Sequence, residues 1–212
     1  DLKRHNNREW FEKNKPRYVA EVETPMLAFI EAVGEHLPAL CPGYVANPRR
    51  TGGSMFRIYR DTRFSADKTP YKTWLAARFA HRKATRDTAT PAFYLHLAVD
   101  ESYGGGGLYH ADTPTLTRIR QRMVAQPKAW AAVLKSGVEL EGDRLKRPPA
   151  GFDPTHRFIE DLKRKDLYSL TLFRQTEVTS ARFLDRYLKA CAEVVPLMEF
   201  LTEAVGLGKP AR

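Results

Sequence analysis

Apolar residues change their spacing along the chain, and each change marks an element. Within Asn6-Asn7-Arg8-Glu9-Trp10-Phe11 an Asn is placed to cap free helix amides, and Trp10, Phe11 and Tyr18 begin an apolar stripe. Pro16 is expected to interrupt this first helix. A second helical pattern starts at about Thr24, with Pro25 in its first turn and Met26, Leu27, Phe29, Ile30, Val33 and Leu37 at helical spacing. It stops near Pro38, and Cys41-Pro42-Gly43 reads as a turn. From Ser54 the period becomes two. Met55, Arg57 and Tyr59 then share one face of an expected strand, and Phe56, Ile58 and Arg60 share the other. Residues 61–70 read as a loop, and 73–81 as a second strand. In a third strand, over 93–99, Phe93, Leu95, Leu97 and Val99 face one side while Tyr94, His96 and Ala98 face the other. The polar segment 82–90 between them reads as a hairpin connection.

The later chain returns to helical spacing. Gly104-Gly105-Gly106-Gly107 reads first as a wide turn or bulge joining two strands. A phosphate cradle of backbone amides is the alternative, although the run lacks the Lys-Ser/Thr ending of a P-loop. Thr113-Pro114 starts a helix that carries Leu116, Ile119 and Met123 inward, and Pro127 begins its continuation through Trp130, Val133 and Leu134. A short helix at 158–164, a last strand at 168–173 and a closing helix over 181–205, kinked or interrupted at Pro196, complete the pattern. Helices at both ends around a central run of strands predict an α+β fold. Its mainly antiparallel sheet is flanked by N- and C-terminal helices in a single domain over residues 1–212.

Composition narrows the partners without choosing one. A hydrophobic share of 42% beside 28% charged residues is that of a folded chain with a core, not a disordered one. The net charge of +10 favours anions: phosphorylated or carboxylated small molecules, nucleotides, nucleic acid or an anionic membrane surface. Cys41 and Cys191 are far apart and have no C-x-x-C spacing, which argues against a zinc knuckle or a disulfide framework and for a reducing cytoplasmic setting. His81, His110 and His156 lack helical i, i+4 partners, so no metal site is expected, and whether a cofactor is used is left open by the sequence. Eighteen consecutive apolar residues occur nowhere, so no membrane span is expected. The chain starts at Asp1 without an initiator Met, which suggests trimming.

The densest chemistry lies between Met55 and Thr73. Arg57, Arg60, Arg63, Lys68 and Lys72 stand there with only two acids, Asp61 and Asp67, interleaved with Phe56, Ile58, Tyr59, Phe64 and Tyr71. Guanidinium forks match the paired oxygens of phosphate and carboxylate, so these cations, with Tyr59 and Tyr71 as hydroxyl donors, make a candidate anion site. The alternative is structural: Arg57, Arg60 and Arg63 pair with Asp61, Asp67, Glu9 and Glu12 to lock a loop. If a reaction occurs, Asp61 and His96 are the candidate proton-transfer groups, His96 by meeting Arg57 and Tyr59 across neighbouring strands. A nucleic-acid interface is the rival function, in which the same loop joins Arg49, Arg50, Arg82, Lys83 and Arg86 in a stripe along a phosphate backbone.

Several separated blocks together resemble one family. They are residues 6–11, the central Phe56-Arg57-Ile58-Tyr59-Arg60-Asp61-Thr62-Arg63-Phe64-Ser65 with Asp67-Lys68-Thr69-Pro70-Tyr71-Lys72, and Gly105-Gly106-Gly107-Leu108-Tyr109. With Arg147-Pro148-Pro149-Ala150-Gly151-Phe152, where the family usually has Lys at the position of Ala150, they are similar to the DUF2461 family of bacterial and fungal proteins. The function of that family is undetermined. The resemblance therefore implies a single α+β domain and carries over no catalytic residue, cofactor or substrate.

Overall fold

The first helix begins at the expected cap. In the computed structural model, which describes residues 1–85 and 89–208, the Asn7 side-chain oxygen accepts the Trp10 amide at 2.9 Å and starts α1 (Arg8–Tyr18). Pro16 does not end the helix. The chain continues through a π-helical turn, Val19–Glu23, directly into α2 (Thr24–Leu40). Thr24, the last amide before Pro25, donates five residues back to the Val19 carbonyl, so the widened turn falls between two residues that have no amide to give. Met26, Ile30, Val33 and Leu37 are buried and hold the far half of this long helix on the core, which outweighs the proline penalty.

Strands β1 (Leu75–Ala80), β2 (Ala92–Leu97) and β3 (Ser102–Leu108) follow, then helices α3 (Thr113–Ala125), α4 (Pro127–Lys135) and α5 (Ile159–Leu162). The chain ends in β4 (Leu167–Phe173), α6 (Gln175–Val178), α7 (Phe183–Glu193) and α8 (Val195–Ala204). The sheet runs β1-β2-β3-β4 with every neighbouring pair antiparallel, so the fold is α+β as expected. The expected alternation holds as far as Leu97, where β2 ends; Val99, expected on the face of Phe93 and Leu95, lies beyond the strand and is 81% exposed. Phe93 and Leu95 are fully buried against the helices, while Tyr94 and His96 stand half-buried on the opposite face. Ile30, Phe79, Phe93 and Tyr187 centre one buried cluster, and Ile119, Trp130, Leu162 and Leu201 centre the other. Among the described residues no helix is long and apolar enough to cross a membrane.

Two further expectations change. The four-glycine run is not a turn but most of the central strand β3. Gly104 and Gly106 face the helices, and a Cβ on Gly104 would stand 2.8 Å from Tyr187 Cε2, one on Gly106 3.0 Å from Met198 Sδ. The missing side chains let α7 and α8 seat close on the sheet. Consequently Tyr109 and His110 leave the end of β3 beside Tyr168 and are not brought to the Arg57 segment.

The strand expected from Ser54 is the second correction. Its first half pairs briefly with β1, Phe56 N donating to Ala76 O and Arg78 N to Ser54 O, both at 2.9 Å. Its second half turns onto residues 70–72 instead, with Arg60 N on Pro70 O at 2.9 Å and Lys72 N on Ile58 O at 2.8 Å. Only isolated bridges result, Met55 to Ala77 and Tyr59 to Tyr71, because Pro70 has no amide to extend the ladder.

Candidate functional site

Most cations of the basic block are engaged within it. Arg60 reaches both the Asp67 carboxylate and the Thr69 hydroxyl, and Asp67 also accepts the Thr69 amide at 2.9 Å. Arg63 grips Asp61 with two bonds, Nε to Oδ1 at 3.0 Å and Nη2 to Oδ2 at 2.7 Å. Lys68 Nζ donates to Thr62 O at 2.9 Å, which closes the loop on itself. These contacts are exposed to water and contribute little stability singly, but together they fix the loop's shape. Glu9 and Glu12 take no part, pairing with Lys13 and Lys15 on their own helix.

The loop acids respond accordingly. The Arg63 hydrogen bonds hold the Asp61 carboxyl down at about 2, and the Thr69 amide followed by Arg60 does the same for Asp67. Asp61 is thus a fixed anion at neutral pH. His96 lies on the outer sheet face, with Ala76 and Tyr103 as its register partners, and does not meet Arg57 or Tyr59. Its ring stacks on Tyr103 at 4.7 Å and leans on Trp74 at 5.0 Å, and burial lowers its pKa. Lys72 Nζ donates to Arg57 O at 2.7 Å and lies 5.0 Å over the Trp74 ring; burial, then Arg57, lowers its pKa.

Tyr71 is a packing residue. It is buried, its ring lies 4.2 Å from that of Phe11, and its backbone is clasped on both sides by Asn6. Asn6 Nδ2 donates to Tyr71 O at 2.9 Å, and Tyr71 N donates to Asn6 Oδ1 at 3.0 Å. The residues just before α1 and those closing the basic loop are therefore one joint.

Arg57 differs from its neighbours. Its guanidinium makes no hydrogen bond or ion pair with any described residue, and it lines a cleft of ≈ 1090 Å³ between the π turn and residues 47–59. Tyr59, 46% exposed, lines the same cleft, with Lys15, Tyr18, Glu23, Arg50 and Arg78. Arg50 Nε stands 2.9 Å from Glu23 Oε1, although its N–H is not aimed at that oxygen. Arg78 crosses to Thr90, Nη2 bonding its carbonyl at 2.9 Å and its hydroxyl at 3.0 Å, and burial lowers the Arg78 pKa. Tyr18 is pushed up to about 12 by burial and then by Glu23, so it remains a hydroxyl donor. Four cations thus face one carboxylate across a cleft with phenol donors, an arrangement suited to holding an anion.

The family model described as "Conserved hypothetical protein (DUF2461)" matches residues 1–200. The chain belongs to the DUF2461 family. No curated protein and no solved structure matches it. In this DUF2461 chain the first two resembling blocks meet through the Asn6–Tyr71 clasp. The glycine block builds β3, and the exposed Ala150 takes no part in the cleft.

Of the residues proposed from sequence, Arg57 and Tyr59 face the cleft; Arg60, Arg63 and Lys68 brace the loop, and Lys72 lies toward Trp74. Lys15, Tyr18, Glu23 and Arg78 were not read as site residues. Arg78 did carry a signal, a lone cation inside the apolar strand Leu75-Ala76-Ala77-Arg78-Phe79-Ala80. Among the described residues no group of three His, Cys, Asp or Glu is placed to hold a metal ion. Burial pushes both thiols, Cys41 and Cys191, up to about 12. Arg49, Arg82 and Lys83 are exposed, and Arg86 lies outside the described residues.

Proposed function

We propose that this protein binds a small molecule bearing a phosphate or carboxylate, with the anionic group at Arg57. The observation that carries this reading is Arg57, whose guanidinium has no hydrogen-bond or ion-pair partner among the described residues, in the lining of the cleft shared with Arg78, Arg50, Lys15, Tyr18 and Tyr59. Size supports a molecule larger than an inorganic ion, since ≈ 1090 Å³ is at the upper end of ligand pockets, which span about 300–1,000 Å³. In this reading Arg57 supplies the fork, Tyr18 and Tyr59 orient the anion by hydroxyl bonds, and the braced loop of Arg60, Arg63 and Lys68 holds the backbone that presents Arg57. Two buried free thiols fit a reducing cytoplasm as its place of action. Nucleic acid is the less favoured partner, because Arg57 lines a cleft together with Lys15 and Arg78 and because Arg50 is already beside Glu23, although Arg49, Arg82 and Lys83 are exposed.

Calorimetric titration with phosphate monoesters and dicarboxylates tests the assignment. Hydrogen bonds to a charged group contribute about 1.5–3 kcal/mol, so Arg57→Ala is expected to weaken binding by about 10- to 150-fold. Lys135→Ala, at an exposed position of α4 that does not line the cleft, is expected to change it little. Unchanged affinity of Arg57→Ala for every anion that binds the wild type would sink the reading. Binding of single-stranded DNA or RNA that collapses between low and moderate salt would favour the nucleic-acid interface instead.

A further inference from the structure

The cationic cleft has a neighbour of opposite character. A second cavity of ≈ 560 Å³ lies beside it, and Phe11, Tyr18, Phe56 and Ile58 line both. Its remaining wall is apolar over most of its area, through Trp10, Val22, Leu75, Leu97, Val99 and Val178, with polar residues such as Arg4, Asn14 and Gln175 among them. Its charged side chains, Arg4 excepted, are held by partners, several of them in the same wall. Arg17 bonds Asp1 at 2.7 Å and Glu21 at 2.9 Å, Lys3 pairs with Asp100, and Lys72 donates to the Arg57 carbonyl. One cavity therefore offers an uncommitted guanidinium, and the adjoining one offers apolar surface.

We infer that the ligand is an amphipathic anion, a carboxylate or phosphate monoester whose head sits at Arg57 and whose hydrocarbon body lies in this second chamber. The inference rests on the anion-binding reading above and adds the chemistry of the rest of the molecule. A head group alone would leave the chamber wall in contact with water, whereas a hydrocarbon body removes that surface from it. The π turn serves both cavities: Val19 and Glu23 line the cleft, and Glu21 and Val22 line the chamber. A single widened helical turn thus stands between the head and the body of the ligand, consistent with the frequent placement of such turns at binding sites.

Chain length is the variable that tests the inference. Wild-type protein is titrated calorimetrically with straight-chain carboxylates and with alkyl phosphates of two to twelve carbons, each below its micelle concentration. Burial of each methylene is expected to tighten binding by about fourfold until the chamber is full. Arg57→Ala is expected to weaken every member by a similar factor. Val99→Asp, at a rim position that is 81% exposed and so tolerant of change, is expected to weaken only the longer chains. Affinity independent of chain length would overturn the amphipathic ligand and leave the anion site standing. Failure of every member to bind would overturn both. Sedimentation with anionic phospholipid vesicles, without binding of the monomeric amphiphiles, would overturn a free ligand in favour of a membrane surface.

Discussion

Replacing Gly105 by Ala is expected to be the most damaging of three glycine substitutions, although it adds a single methyl group. A Cβ at Gly105 would fall closer than 3.0 Å to the Ser169 carbonyl oxygen of β4, so a backbone in the sheet must move. Overpacking typically costs about 1–3 kcal/mol, and a rigid backbone partner places this change at about 3. At Gly104 the clash is with the edge of the Tyr187 ring at 2.8 Å, which can tilt, so about 2 kcal/mol is expected. Gly151 meets nothing within 4 Å but has φ +81°. Its left-handed backbone costs roughly 1–2 kcal/mol with Ala, partly offset by a stiffer unfolded chain, for a net of about 0.5–1. A chain of this size loses about 2–4 °C of melting temperature per kcal/mol, which gives drops of about 6–12, 4–8 and 1–4 °C. Thermal unfolding followed by circular dichroism reads all three. A Gly105→Ala protein melting within about 2 °C of wild type, or Gly151→Ala ranking worst, would refute the close β3–β4 approach.

Three further outcomes follow from the same structure. Leu162→Ala, at a fully buried position in the α3–α4–α8 cluster, is expected to cost about 2–5 kcal/mol, read from the urea midpoint. Carbon-detected NMR titration should place the Asp61 and Asp67 midpoints at about 2, with Arg63→Ala returning Asp61 toward the ordinary carboxylate value. Their depressed values mean that their contribution to stability is full above the unfolded pKa near 4 and is lost as pH falls through about 2. His81 carries the opposite charge change. Burial, then Arg82 and Lys83, lowers its pKa, and the Lys83 amide donates to its Nδ1 at 3.2 Å. The neutral ring is favoured in the fold, so stability is expected to fall as pH drops below the ordinary value of 6.5, and His81→Gln should remove part of that slope. A pH-stability profile unchanged by His81→Gln would contradict it.

Legibility depended on whether a residue's partner was near in sequence. Helix α1 could be read from Asn7 and Trp10 because a cap spans one turn. The faces of β2 could be read because alternation is a property of each strand alone. Strand β3 could not, since four glycines have no hydrophobic period and their meaning lies in what they admit: Tyr187, Met198 and the β4 backbone. The continuation through Pro16 was equally hidden, because burial of Ile30 and Leu37 against distant strands decides it.

The basic block shows the same division within one segment. Its composition alone showed a dense run of cations with two acids among them, which makes anions, ligand or internal, the favoured company. Local spacing also brought Asp61 to Arg63 and Asp67 to Arg60, over two and seven residues. Only the tertiary structure separated Arg57 from the rest. Whether a guanidinium is paired or open depends on atoms brought in from elsewhere, and here the π turn, Arg78 of β1 and the Asn6 clasp leave Arg57 at the mouth of a cleft. Sequence spacing determined the elements and the chemistry present; long-range packing decided which cation remained available.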